Sequence, residues 1–277
     1  MSCTPEKESC QRPEAKSSFR PAFIFLSTEK RDALSAVYGY CRAVDDAVDE
    51  PSDISPAESV RFWREETERL YAGKPTHPIT RALLEPVAAF DIHKEHLLMV
   101  LNGVAMDIDV FRYETLADLQ KYMYGVACAV AHLCLGIFGC AETDREPFCA
   151  NLGYAVQLTN IIRDVASDAQ RGRIYFPLED LRRFNVAPED ILNRRMTPGI
   201  LALLQFETER ALAFYEANAS LVKPADKKRL FPCAVIAEVY KALLLKIAKK
   251  GYPVFEGKVK LSKFDKAKAL FRAWRKS

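Results

Sequence analysis

Between Tyr122 and Ala141 the chain reads YMYGVACAVAHLCLGIFGCA, with no Asp, Glu, Lys or Arg. That length of apolar helix can cross a bilayer, and it is also what a helix buried on every side of a bundle requires. Either way the segment needs apolar partners. Its small residues Gly125, Ala127, Ala129, Ala131 and Gly136 suit close helix packing or the wall of a cavity.

The rest of the chain offers helices for that role. SPAESVRFWREETERL opens with Ser55 at the N-cap, Pro56 at the first helical position and Glu58 closing a capping box. Thr115 and Asp118 start TLADLQKYMYGVACAV in the same way. Further helices are expected over 29–49, 80–111, 145–169, 198–221 and 227–249, with Gly172, Pro177, Pro188, Pro198, Pro224 and Pro253 between them. Strand-like alternation and solenoid-length repeats are both missing. With 277 residues and 49% hydrophobic content, one all-α domain, a helical bundle, is the economical reading. The polar stretch 1–16 is expected to be a flexible tail before a domain at 17–277, and it resembles neither a secretory signal nor a transit peptide.

Charge and cysteine usage exclude some functions. A net charge of +3 is too weak a bias to argue for nucleic acid. The eight cysteines are scattered without a CxxC pair, as expected of reduced, small apolar residues in an intracellular protein. His93 and His96 lack the partners that a zinc site needs and read as a surface pair; His132 reads as a core or cavity histidine. The lysine-rich stretch KVKLSKFDKAKALFRAWRKS fits a solvated helix face, and also a basic amphipathic helix against an anionic membrane.

Two acidic motifs carry the chemistry. RAVDDAVDE at 42–50 crowds Asp45, Asp46, Asp49 and Glu50 into little more than one turn, although like charges at i,i+4 repel. Arg42, Asp45 and Asp49 share one face. In QLTNIIRDVASDAQRGRIYFP, Gln157, Asn160, Asp164 and Asp168 form one polar stripe flanked by Leu158, Ile161, Ile162 and Val165. Such a stripe with apolar flanks is the lining of a wet cavity. Facing one another there, the carboxylates need a cation, and Mg²⁺ takes one or two carboxylates together with waters and substrate phosphates. Arg42, Arg163, Arg171 and Arg173 are placed to hold phosphate oxygens. The inference is Mg²⁺-assisted departure of a diphosphate, leaving a carbocation in a dry pocket whose wall is the 122–141 helix. A membrane span there would put the two motifs on opposite sides, so the buried helix is the reading adopted.

These motifs resemble the squalene/phytoene synthase family of all-α head-to-head prenyl transferases. The resemblance runs from about Ser17 nearly to the C-terminus, through SSF at 17–19, YGYCRAVDDAVDE at 38–50, MDIDVFRY at 106–113, YMYGVA at 122–127, residues 157–177 and EVYKALLLKI at 238–247. It implies an isoprenoid-synthase-type bundle with a central apolar cavity. It implies Asp45, Asp49, Asp164 and Asp168 as metal ligands, supported by Asn160, with Mg²⁺ as cofactor. Ser18, Tyr38, Arg42, Gln157, Arg163, Arg171 and Tyr175 would surround the diphosphates, with Tyr240 and Lys258 as C-terminal contacts. Tyr124 would stand near the reacting carbons.

The implied reaction joins two farnesyl diphosphates into presqualene diphosphate, without NADPH; phytoene or dehydrosqualene synthesis shares the motifs. A downstream squalene-forming enzyme is an implied partner. The expected location is cytoplasmic, with peripheral contact at the inner membrane face left open. Three departures from the family pattern stand out: Ala166 and Ser167 inside the second motif, Arg20-Pro21 after Phe19, and Lys258 where arginine is common. A non-catalytic helical binding relative would be marked by loss of the aspartates, and all four are present.

Overall fold

The computed structural model describes residues 26–50 and 53–276. Within them the chain is helical and forms no strand. The expected tail at 1–16, Ser18 and Arg20-Pro21 lie outside the described residues.

Helix α1 (Thr28–Asp49) carries the first acidic motif in its last turns and starts at Ser27, whose side chain accepts from the Lys30 N–H. Helix α2 (Pro56–Tyr71) begins with the expected capping box, Ser55 and Glu58 each accepting from the other's backbone. The expected helix over 80–111 is three pieces: α3 (Pro78–Arg81), α4 (Leu84–Ala89) and α5 (Lys94–Asp109). Pro86 is the reason for the first break. Lacking an N–H, it is tolerated in a first turn and not in a helix interior, so the helix restarts at Leu84. The second break is Phe90, extended at φ −127° and ψ 161°. The chain beyond it crosses the central helix so closely that a Cβ on Gly136 would lie 2.1 Å from the Asp91 carbonyl oxygen.

The uncharged segment forms α6 (Leu116–Met123), a π turn over Tyr124–Cys128, and α7 (Ala129–Phe138). Thr115 and Asp118 make the capping box at its start. By length and composition Leu116–Phe138 could cross a membrane, yet 72% of its most apolar window is buried inside the protein. It is the core of the bundle. Helix α8 (Arg145–Gln170) packs beside it, followed by short α9 (Leu178–Arg183) and α10 (Pro188–Leu192). Then come α11 (Pro198–Leu221), as expected, and α12 (Phe231–Lys249), which starts four residues late because Pro232 must fall in the first turn. The last helix, α13 (Lys263–Lys276), packs on α12.

Backbone contact at the π turn holds the bundle together. A Cβ on Gly125 would lie 2.6 Å from the Gly103 Cα, and one on Gly153 would lie 2.5 Å from the Cys128 Sγ. Only glycine lets α5, the π turn and α8 approach this closely. The extra residue in the π turn also rotates the face of α7 relative to that of α6, a device frequent at functional sites.

Candidate active site

A cavity of about 630 Å³ opens between α1, α5, the α6–α7 segment, α8 and α12. Its inner wall is apolar, with Val126, Val130, Ala131 and Cys134 from the central segment facing Leu152 and Val156 of α8. Its mouth is charged: six carboxylates (Asp45, Asp49, Glu50, Asp107, Asp164, Asp168) and five cations (Arg42, Arg163, Arg171, Arg173, Lys258).

Both motifs arrive as the spacing implies. Arg42, Asp45 and Asp49 line the cavity from α1, and Gln157, Asn160, Arg163, Asp164 and Asp168 from α8. The residues between the polar positions of α8 anchor it: Leu158, Ile161, Ile162 and Val165 are all buried. Tyr38, Arg171, Tyr175, Tyr240 and Lys258 join the same lining.

The fold's own cations serve some of these acids. Arg42 Nη1 lies 2.9 Å from Asp45 and its Nη2 2.5 Å from Asp46. Asp49 receives Arg173 Nη1 at 2.7 Å, with Arg171 at 3.7 Å. Asp164 is bridged by its neighbour Arg163, whose Nε lies at 3.0 Å, and by Lys258 Nζ at 2.9 Å. Burial would raise the Asp164 carboxyl, but Arg163 and Lys258 hold it below the usual range. Two acids are less well served: Asp168 forms no ion pair among the described residues, and Asp45 has only the half-exposed Arg42. Burial, then the neighbouring Asp164 and Asp107, push Asp168 up to about 7. Burial and Asp49 push Asp45 up to about 6, Arg42 notwithstanding.

Asn160 shows a second unmet demand. Its Nδ2 donates to Gln157 Oε1 at 3.2 Å, while its buried Oδ1 finds no donor. A buried acceptor without a partner costs about 1–3 kcal/mol, so it invites a ligand. Among the described residues no three His, Cys, Asp or Glu side chains gather into a self-sufficient metal cluster.

Three residues at the site carried no assigned role in the sequence reading, or a different one. Asp107, near the end of α5, accepts from the hydroxyls of Tyr175 at 2.7 Å and Tyr122 at 2.9 Å. Burial raises its carboxyl despite these donors and Arg173. Arg173, grouped above with the phosphate-binding arginines, is instead a buried strut: besides Asp49 it donates to the Asp107 backbone oxygen at 3.0 Å. Tyr122 rather than Tyr124 faces the cavity, its ring stacked on Tyr175 at 5.0 Å. Tyr124 stands outside the lining, where its hydroxyl donates to Glu146 at 2.9 Å. The two tyrosines are two residues apart, about 200° around a helix, so only one can face inward.

Three of the four histidines gather on Tyr124's side of the central segment. His96 stacks on buried His132 at 4.5 Å, and His132 Nε2 lies 3.1 Å from Glu146. The exposed member of the expected pair is His93, beside Asp91 at 2.6 Å. The described cysteines form no disulfide.

A search for relatives agrees with this geometry. The family model described as squalene/phytoene synthase matches residues 13–265. The presqualene diphosphate synthase of Zymomonas mobilis is 34% identical, over 92% of this chain and 88% of the relative. The phytoene synthase of Arthrospira platensis is 33% identical, over 87% of this chain and 82% of the relative. Among solved structures, a dehydrosqualene synthase in complex with ligand superposes with a TM-score of 0.83 at 30% identity, covering 95% of this chain and 92% of that one. The fold is the isoprenoid-synthase helical bundle, the activity is head-to-head condensation of prenyl diphosphates, and the chain belongs to the squalene/phytoene synthase family.

Proposed function

We propose that the chain, with residues 17–277 as its catalytic unit, joins two farnesyl diphosphates into presqualene diphosphate and inorganic diphosphate. The observation that carries this reading is one cavity combining an apolar wall with a mouth of clustered aspartates, arginines and a lysine. The Zymomonas mobilis relative supports the specific product.

Asp45, Asp49, Asn160, Asp164 and Asp168 would hold Mg²⁺, which when bound supplies positive charge to a departing diphosphate. Arg42, Arg163, Arg171 and Lys258 bind phosphate oxygens, the arginines in bidentate fashion and Lys258 as a point charge. Tyr38, Gln157, Tyr175 and Tyr240 complete the surroundings of the diphosphates. In the first substrate the C1–O bond breaks and its electron pair leaves with the diphosphate. The allylic C1 is attacked by the C2–C3 double bond of the second substrate, and loss of a proton, with the released diphosphate as its nearest acceptor, closes the cyclopropane. Valine, alanine and leucine side chains around the cation exclude water. The faces of Tyr122 and Tyr175 offer it cation–π stabilisation, and Asp107 fixes both rings. The product keeps one diphosphate, which a downstream squalene-forming enzyme would have to remove.

The similarity to the Arthrospira platensis enzyme favours a second reading, condensation of two geranylgeranyl diphosphates to phytoene. The test is a product assay by mass spectrometry, with purified protein, Mg²⁺ and each prenyl diphosphate, with and without NADPH. The expected result is a C30 diphosphate that persists whether or not NADPH is present. A C30 hydrocarbon, or turnover of geranylgeranyl diphosphate alone, would overturn the product assignment.

A further inference from the structure

Helix α13 is built inside out for a helix that merely covers a bundle. Against α12 it buries the small residues Ala269 and Ala273. Outward it turns Phe264, Phe271 and Trp274, which at 67%, 56% and 64% exposure are the most exposed large apolar side chains among the described residues. At 100° per residue, Phe264 and Phe271 lie nearly opposite the two alanines, with Trp274 close beside them. The stripe is flanked by cations. Lys268 Nζ sits 4.3 Å over the Phe264 ring, and Lys263, Lys266 and Arg275 form no ion pair among the described residues.

Residues 258–277 hold eight Lys or Arg against one Asp, a net +7 in a chain whose total is +3. A second copy of this chain would bring that +7 against itself. A surface with anionic headgroups over an apolar interior satisfies both the cations and the aromatics, and helices of this composition lie in that interface.

We propose that α13 docks the protein on anionic phospholipid bilayers, with Phe264, Phe271 and Trp274 inserted among the headgroups. The docking surface adjoins the active site. Lys258, at the start of the same basic segment, pairs with Asp164 at the cavity mouth. Docking would hold the cavity mouth near a membrane in which a substrate with a long apolar tail partitions; this last point alone rests on the proposed function.

The experiment is co-sedimentation of the full chain with vesicles of phosphatidylcholine alone or mixed with phosphatidylglycerol. It is read alongside tryptophan emission, in which exposed Trp274 reports against buried Trp63. Binding is expected only with the anionic vesicles, with a blue shift of emission. It should be lost between about 0.1 M and 1 M salt as screening shortens from ~10 to ~3 Å. The variant K263E/K268E/R275E should bind at least on the order of 100-fold more weakly, at about 1 kcal/mol for each cation lost and with the added acids repelled besides. The variant F264S/F271S/W274S should also lose vesicle binding, while its turnover of a soluble short-chain prenyl diphosphate stays unchanged. Equal binding to neutral vesicles, no binding to either, or full binding by the aromatic variant would overturn the proposal. So would preference for single-stranded RNA added in competition. Because vesicle binding is read without turnover, failure of the prenyl transfer reading would leave this result standing.

Discussion

Two regions of this protein hold carboxylates away from bulk water to different degrees and treat them in different ways. Asp226, in the turn between α11 and α12, is fully buried and accepts the backbone N–H groups of Ala141, Glu142 and Thr143, just beyond α7, at 2.7, 2.8 and 2.7 Å. Burial would raise its carboxyl, yet those donors hold it well below the usual range. Glu66 on α2 is treated alike, with donors from Thr76, His77, Thr80 and Arg69. At the cavity mouth, Asp45 and Asp168 lack such donor sets and are pushed up to about 6 and 7. The fold can satisfy a buried carboxylate when the carboxylate serves the fold. At the cavity mouth Asp168, without an ion pair among the described residues, and the orphaned Asn160 oxygen line one cavity, where a ligand can reach both.

The largest effect that sharpens this contrast falls on activity. Asp164→Ala or Asp45→Ala should cut kcat/KM by at least about 10³-fold, the several kcal/mol that charge stabilisation of the leaving group supplies. The helical circular dichroism spectrum should be unchanged. Full activity in either variant would break the two-motif account.

Next is stability at the other region. Asp226→Ala strands three buried backbone N–H groups and should cost about 3 kcal/mol in denaturant unfolding, with turnover per folded molecule preserved. A loss below about 0.5 kcal/mol would remove the contrast, since that is the scatter of ordinary surface changes.

Asp168→Asn should act the other way. A carboxyl raised in the fold contributes stability below its unfolded value, and that contribution is lost as pH rises through about 7. The variant should therefore stabilise the ligand-free protein by about 1–3 kcal/mol at about pH 8, shrinking toward about pH 5. Thermal melts across that range decide it, and a pH-independent shift would refute the electrostatic cause.

The smallest effect separates two tyrosines. Tyr122→Phe removes a donor from Asp107 and should lower kcat on the order of 10-fold through misplaced groups in the cavity, whereas Tyr124→Phe should stay within about 2-fold. The reverse order would restore the expectation formed from sequence.

Much of this was legible before folding. Ser55 and Thr115 announce their helices because a capping box is a local hydrogen-bond pattern. The stripe Gln157, Asn160, Asp164 and Asp168 shows its cavity because helical spacing alone puts the four on one face. What stayed hidden depends on the bundle as a whole. Tyr122 and Tyr124 are indistinguishable in sequence, and only the packing of Gly103 against Gly125 decides which faces inward. Asp107 sits between Met106 and Ile108, and an acid so placed signals burial but not its partners, which come from residues 122 and 175. The breaks at Pro86 and Pro232 follow from the first-turn rule, although each proline lies within a longer stretch of helix-compatible residues.

The central claim is that the cavity mouth is completed by a cation together with a diphosphate. Calorimetric titration of an unreactive farnesyl thiodiphosphate into the protein, with and without Mg²⁺, tests it directly. The account predicts tight binding with Mg²⁺, weak binding without it, and loss of the difference in Asp168→Asn. Equal binding with and without the ion would contradict it.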